Sequence, residues 1–543
     1  MSIIGQRYHQ DKLAGDYDVI IIGSGIGGLA AGSLLAKAGK KVLILERHYT
    51  AGGFTHTYQR KGYEWDVGVH YIGEVNRENS PVRRIFDYLT DNQLQWEEMG
   101  PVYDRMICGD NQFDFRAGHR KLKADLIARF PKQEKGILAY FDMIKQVRKG
   151  TPMAVARRMM PPWFAAMLSP LTLFASPMHS DKTTAEVLER LIDDPELRGI
   201  LATQWGDCGL TPQQSSFTIH AMIAGHYMGG AAYPVGGSSQ FAATIEPIIR
   251  RAGGQILVRA EVDQILTRHG RAHGVRMASG EEIHAPKIIS TVGVPNTYRH
   301  LLDQHHRERY GIPDNLSKVK AQGGHLCLYV GLKQSAADLG LDKTNLWVFP
   351  SLDHDANLDR FRQDPDAPFP LTYISFPSAK DPRWSERFPD KATIEVVTMA
   401  PYQWFERWQD QPWLRRGEEY EALKERFAQR MLAELYRQVP AIEGKIDYHE
   451  LSTPLSTRHF CNYDQGEIYG LDHDPVRFAQ KWLRPKSPIK NLYLGGQDVF
   501  VAGVVGAMTG GLMAGAAVLG PAVLKMLPKA SGIPIISRLF ARA

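Results

Sequence analysis

Cysteine is scarce: Cys108, Cys208, Cys327 and Cys461 are the only four in 543 residues, and no two form a Cys-x-x-Cys pair. Neither a disulfide framework nor a zinc site is indicated, and no metal is expected. Neither sign of charge is in large excess. The formal net charge is +6 and the pI about 8.9, a mildly basic balance that suits an anionic membrane surface better than nucleic acid. No apolar signal core precedes the first strand, so a cytoplasmic, reducing setting is the expectation. An uninterrupted apolar run of about 18 residues is also missing, and with it any simple bilayer span. What remains is 43% hydrophobic and 23% charged, a folded-protein composition. The chain is too long for one ordinary core, so two intertwined domains are expected.

Residues 16–46 organise the rest. Val19–Ile22 is a short apolar run that reads as a buried parallel strand, followed at once by Gly23-Ser24-Gly25-Ile26-Gly27-Gly28 and then by Leu29, Leu34, Leu35 and Ala38 at helical spacing. A second strand over 41–45 ends in Glu46. This is the pattern of a βαβ dinucleotide unit. Gly23 permits the tight turn, Gly25 lets main chain approach a pyrophosphate, and Gly28 lets the helix pack closely on the strand. The N–H groups of the helix N-terminus, Gly27 among them, suit phosphate. Glu46 is placed to accept hydrogen bonds from a ribose diol. An acid there argues against a ribose phosphate, so FAD or NAD is preferred to NADP.

Beyond it, Arg47 leads into Gly52-Gly53, whose small size allows a loop to lie across the same nucleotide, and on through Phe54 to Thr57. Trp65-Asp66-Val67-Gly68-Val69-His70-Tyr71-Ile72-Gly73 alternates between apolar and polar residues and is punctuated by glycine, so it suits a close pass by a flat ring.

The order GSGIGGLAAGSLLAKAGKKVLILERH, AGGFTHTY and WDVGVHYIG resembles the flavoprotein group of retinol saturase, carotenoid isomerase and phytoene desaturase, most closely its retinol-saturase branch. The resemblance covers roughly residues 16–519. It implies an α/β fold: a Rossmann-type FAD-binding domain of the glutathione-reductase and amine-oxidase superfamily with an inserted α+β substrate domain. The FAD domain is expected to be discontinuous, over 16–75, 226–294 and 451–520. The substrate domain is expected over 76–225 and 295–450, and 521–543 is read as a membrane-docking tail. The resemblance also implies FAD contacts from Ser24, Arg47, Thr57 and Gly496, and an adenine contact from the backbone of Val262. Asp498 is implied at the ribityl chain, with Val505 in the helix aimed at the flavin. One departure stands out: many relatives carry a basic residue after the paired glycines, where this chain has Phe54.

Between the motifs, residues 122–130 and 137–147 predict amphipathic helices. The block 159–178, MMPPWFAAMLSPLTLFASPM, has Arg148, Lys149, Arg157 and Arg158 before it and suits a headgroup-level element or a pocket lid. Ser238 or Ser239 is placed to cap a helix running to about Arg251. Residues 255–258, 260–267, 272–277 and 282–284 predict a β-meander, and 287–291 a strand returning to the main sheet. Strands are expected at 325–331, 345–349, 371–376 and 393–399, and a long helix over 417–438. Trp347, Phe349, Tyr373, Phe376, Tyr402, Trp404, Phe405, Trp408 and Trp413 make this region dense in aromatics, as an apolar pocket requires. After a strand at 491–494 comes Gly495-Gly496-Gln497-Asp498 and a helix of small residues, which suits close packing on a cofactor or another helix.

The chemistry expected is hydride transfer at flavin N5 to or from a lipophilic polyene or isoprenoid, by saturation, desaturation or isomerisation of C=C bonds. His70, Tyr71 and Asp207 are the candidates for moving the accompanying proton. No second glycine fingerprint follows a strand, so the electron donor or acceptor is undefined. The competing readings are a non-catalytic prenyl- or lipid-binding protein on the same scaffold and an amine oxidase.

Overall fold

The computed structural model describes residues 3–13, 15–160, 167 and 178–525. At its centre lies a six-stranded parallel sheet in the order Gln6–Arg7, Gln255–Val258, Val42–Glu46, Val19–Ile22, Ile288–Ser290, Leu492–Leu494. Its inner strands are almost wholly Val, Ile and Leu because both faces are covered, as parallel sheets require. Two helices, Ile26–Lys37 and Gly503–Leu519, pack against each other at backbone distance. A Cβ at Gly511 would lie 1.9 Å from the carbonyl oxygen of Gly27, and one at Gly510 2.0 Å from that of Gly496. Helix and 3-10 turn together, Gly503–Val523, are long and apolar enough to cross a membrane. The helix is instead part of the core, bound by glycine contacts to the dinucleotide helix.

A second, seven-stranded mixed sheet has the order Ile446–Ser452, His325–Leu332, Ala392–Met399, Thr372–Ser375, Asn345–Val348, Val102–Cys108, Asn111–Arg116. Period-two alternation divides its two faces. Even-numbered Leu326, Leu328, Val330, Leu346, Ile374, Ile394 and Val396 pack in one apolar cluster with the long helix Glu418–Gln438. Odd-numbered His325, Cys327, Tyr329, Trp347, Tyr373 and Val397 line a cavity on the opposite side.

Several expectations are corrected. Gln255–Val258 joins the central parallel sheet beside Val42–Glu46, while Val262–Arg268, Arg271–Met277 and Glu282–His284 alone form the three-stranded meander. The helix expected over 137–147 runs from Glu134 to Met159, through Pro152. Arg148 pairs with Glu74, and Arg158 donates to the carbonyls of Leu483 and Val499, so these two arginines face protein rather than headgroups. Neither serine caps Gln240–Arg251. Ser239 holds the N-cap position, but its Oγ takes the Thr57 N–H and bonds Thr57 Oγ1, and the buried Ser238 Oγ has no partner. Most of the 159–178 block, and residues 526–543 of the tail, lie outside the described residues.

Candidate active site

The two sheets meet around one cavity of about 980 Å³, at the upper end of the range for small-molecule sites. One part of its wall is main chain. Gly23 takes φ +93°, turning the chain out of Val19–Ile22 into the first helix, and a Cβ at Gly28 would lie 2.0 Å from the Gly23 carbonyl oxygen. Gly25 lines the cavity, and a Cβ there would meet no atom within 4 Å. Gly53 crosses so close that its Cβ would stand 2.9 Å from Gly25 Cα. The helix that starts here has Gly25 as its N-cap and no side-chain cap, so its first N–H groups are left for a ligand. The helix Gly503–Leu519 also begins without a side-chain cap, and Gly503, Val504, Val505 and Gly506 line the same cavity. Two uncapped helix N-termini on one cavity suit the pyrophosphate and ring of a dinucleotide.

The other residues expected at the cofactor divide between this wall and the layer behind it. Gly27, Glu46, Arg47, Gly53, Val262, Gly496, Asp498 and Val505 line the cavity; Ser24, Gly28, Gly52 and Thr57 stand behind it. Glu46 Oε2 accepts from both N–H and Oγ of Ser24, at 2.9 and 2.7 Å, and Oε1 from the His48 N–H at 2.8 Å. Arg47 gives one nitrogen to the His459 carbonyl, while its Nη1 has no partner. Asp498 is 1% exposed. Its carboxylate accepts the N–H groups of Val294 and Leu471, at 2.7 and 2.8 Å, and so ties two loops to the cradle. Arg477, which sequence reasoning missed, donates one Nη2 to the carbonyls of Gln497, Asp498 and Phe500 and shapes the turn before the last helix. Phe54, in place of the basic residue, stacks near Tyr463 with ring centroids 6.4 Å apart.

Elsewhere the wall is made of side chains. Of the nine aromatics noted in the sequence, Trp347, Tyr373 and Trp413 line the cavity; Phe376, Tyr402, Phe405 and Trp408 are buried in the core on the far side of the second sheet. Tyr71 and Tyr227 stack with centroids 4.3 Å apart, and Trp347 meets Tyr373 at 4.7 Å. The Tyr71 hydroxyl donates to Asp104 Oδ2 at 2.8 Å, so it is already committed. Asp207 lines the cavity with Oδ2 unpartnered, and burial, then neighbouring Asp104, holds its carboxyl well above the usual carboxylate range.

His70 has an unexpected partner. Its Nδ1 lies 2.9 Å from Oε2 of the fully buried Glu395, but the contact is not aligned as a hydrogen bond and neither atom has a hydrogen-bond partner. Burial, then Lys380, presses the imidazole down to about 3, while burial lifts Glu395 to about 8. Burial thus favours the uncharged form of both groups. Lys380, also fully buried, donates to the His70 carbonyl at 3.0 Å, Asn345 Oδ1 at 2.5 Å and Ser375 Oγ at 2.7 Å. Burial brings that amine down to about 7. Asp66 takes the Ser238 N–H and the Tyr233 hydroxyl, and its own N–H donates to Glu395 Oε1.

The chain matches the family described as flavin containing amine oxidoreductase over residues 26–519. It belongs to that family. It is 37% identical to the all-trans-retinol 13,14-reductase of Danio rerio over 95% of this chain and 88% of that protein. Against the protein of that name from Rattus norvegicus the identity is 38%, with the same coverage. The chloroplastic prolycopene isomerase of Arabidopsis thaliana is 25% identical over 92% of this chain and 82% of its own. Among solved structures, cyclohexylamine oxidase from Brevibacterium oxydans IH-35A superposes with a TM-score of 0.58 at 18% identity, covering 93% of this chain and 99% of that one. Putrescine oxidase bound to putrescine gives 0.59 at 15%, with the same coverage. These two establish the fold: an α/β dinucleotide-binding fold with a mixed α/β substrate portion. FAD is the family's cofactor and that of this chain, and the open face of Gly25 and the two uncapped helices fit it.

Proposed function

We propose that the protein is an FAD-dependent oxidoreductase that saturates a C=C bond of a lipophilic polyene of the retinoid or carotenoid class. The observation that carries this reading is the continuity of the cavity, which has a dinucleotide cradle and an aromatic wall in one space. Bound flavin supplies a hydride at N5. The protein holds the polyene against that position, keeps water out with Trp347, Tyr373, Tyr227 and Tyr71, and provides a proton. The relatives at 37–38% identity carry a C=C reductase name, which favours this reading over amine oxidation and over passive prenyl binding. One relative, 31% identical over 95% of this chain, is named an inactive all-trans-retinol 13,14-reductase, so turnover itself is the first thing to measure.

The electron source is an external donor, since the sequence has one dinucleotide fingerprint. Peripheral membrane contact rests on the composition of 159–178 and of the C-terminal tail, and suits a substrate delivered from lipid. The test is anaerobic photoreduction of the purified flavoprotein followed by product analysis with retinol, a carotenoid and an unsaturated fatty acid. A dihydro-retinoid or dihydro-carotenoid is expected. Reduction of the fatty acid alone, or no flavin in the pure protein, overturns the reading.

A further inference from the structure

Seven acidic residues line the cavity, and six of them are engaged. Glu46 and Asp498 accept main-chain N–H groups, Glu74, Glu421 and Glu450 pair with Arg148, Lys424 and Arg60, and the exposed Glu261 faces Arg47. Asp207 stands apart. It has no ion-pair partner among the described residues, and its Oδ2 is buried without a hydrogen bond. The turn that carries it is wedged in place. A Cβ at Gly206 would stand 2.9 Å from the Trp347 ring and one at Gly209 3.0 Å from Tyr469, so these two glycines seat Asp207 between the aromatics. Tyr71, Tyr227, Tyr373 and Tyr469 all feel its charge. A carboxyl left unpaired in such a site is expensive as an anion and inexpensive as an acid.

We propose that Asp207 is the catalytic acid, and that it protonates the polyene before hydride arrives, with the faces of Tyr71, Tyr227, Tyr373 and Tyr469 steadying the resulting carbocation. This rests on the function proposed above. The π pair of one C=C bond takes the Asp207 proton and forms a C–H bond, leaving an allylic cation delocalised along the remaining double bonds. Hydride from reduced flavin, with both electrons, closes the second C–H bond. The polyene is reduced by two electrons, the flavin oxidised by two, and Asp207 is left as a carboxylate that regains its proton from water. An unactivated polyene has no carbonyl to accept hydride first, whereas a cation within about 6 Å of an aromatic face is stabilised by it. The other groups on this wall are poorer acids. The tyrosine hydroxyls are pushed well above their ordinary range by burial, Tyr71 is bonded to Asp104, and burial favours the uncharged imidazole at His70.

The test compares wild type, Asp207→Asn and Asp207→Glu, each photoreduced anaerobically and mixed with a retinoid. Flavin reoxidation, dihydro product and pH dependence are followed. Asp207→Asn is expected to keep its flavin spectrum and its photoreduction while product formation falls about 100-fold or more. Asp207→Glu is expected to recover part of the rate. The wild-type rate falls as pH rises through the raised Asp207 pKa, whose neighbours are Asp104, Cys208 and the four tyrosines, and Asp207→Asn loses that limb. An Asp207→Asn rate within about tenfold of wild type, or an unchanged limb, overturns the assignment. If Asp207→Asn is devoid of flavin, Asp207→Glu decides: it must keep the limb at a displaced pH, and a limb left where it stands in wild type overturns the assignment. Absence of product from wild type itself refutes the proposed function instead.

Discussion

Around the cradle for the nucleotide, the chain closes on itself through glycine, and the contacts that matter are between backbone atoms. Around the aromatic wall, strands from both halves of the sequence each lend one to three side chains, and the contacts that matter are between ionisable and aromatic groups. The first region fails by steric collision, and the second by uncompensated charge. The difference predicts which substitutions destroy the fold, which empty a folded protein of flavin, and which shift only its response to pH.

The largest effect separates two glycines three residues apart. Gly28→Val sets a side chain against the Gly23 carbonyl, where even a Cβ would be 2.0 Å away. It is expected to cost about 3 kcal/mol or more and to leave little soluble protein. Gly25→Val meets no protein atom within 4 Å of its Cβ, so it is expected to fold with wild-type circular dichroism and purify colourless. A yellow Gly25→Val protein would remove the pyrophosphate from this turn.

On the aromatic side, Lys380→Met strips a donor from Asn345, Ser375 and the His70 carbonyl and a cation from among Glu395, Asp104 and Asp66. A loss of about 3–5 kcal/mol is expected from denaturant unfolding, as for a buried charge network with one partner removed. Full stability would show that the lysine is buried in its neutral form.

Glu395 gives a smaller, pH-dependent signature. Its pKa is raised from 4.5 to about 8 by burial, so between those values the folded protein holds a proton that the unfolded chain has released. Stability from this group is present below 4.5 and is lost as pH rises toward 8. Lys380, lowered from 10.5 to about 7, works in the opposite sense above 7. Asp66, His70 and Asp104 face the same space. Glu395→Gln is therefore expected to flatten the fall in melting temperature between pH 4.5 and 7, and an unaltered slope would move the proton elsewhere in the cluster. Smallest of all, Val262→Ile is expected to change flavin affinity by under about 1 kcal/mol, because only the backbone of this residue is invoked at the adenine. Equilibrium dialysis of FAD measures it.

The cradle was legible in the sequence because its geometry is local. Val19–Ile22, the glycines after it and the acid ending Val42–Glu46 lie within one short stretch, where Gly23 and Gly28 are dictated by the turn and by close backbone contact and Gly25 by the open space it leaves. The strands His325–Leu332, Asn345–Val348 and Ala392–Met399 were legible as short, largely apolar runs. What they assemble was not. Glu395 and Lys380 each read as an ordinary charged residue, and only the assembled sheet, which sets Glu395 between Tyr329 and Ser375, places it inside the molecule. A signal was present: in Ala392–Met399 the residues beside Glu395 are apolar in both parities, which marks a strand covered on both faces. The helix Glu134–Met159 outran the apolar pattern of 137–147 that pointed to it, and it runs through Pro152 with Arg148 bonded to the Gly225 carbonyl on one side and Arg158 to that of Val499 on the other.

The measurement that bears most directly on a shared flavin and polyene cavity is a single turnover without oxygen. Photoreduced enzyme is mixed with all-trans-retinol, and flavin absorbance and product are recorded together. Return of the oxidised flavin spectrum in step with an equal amount of dihydro-retinoid is the result expected. Flavin that stays reduced while retinol remains intact, with carotenoids equally inert, would contradict it.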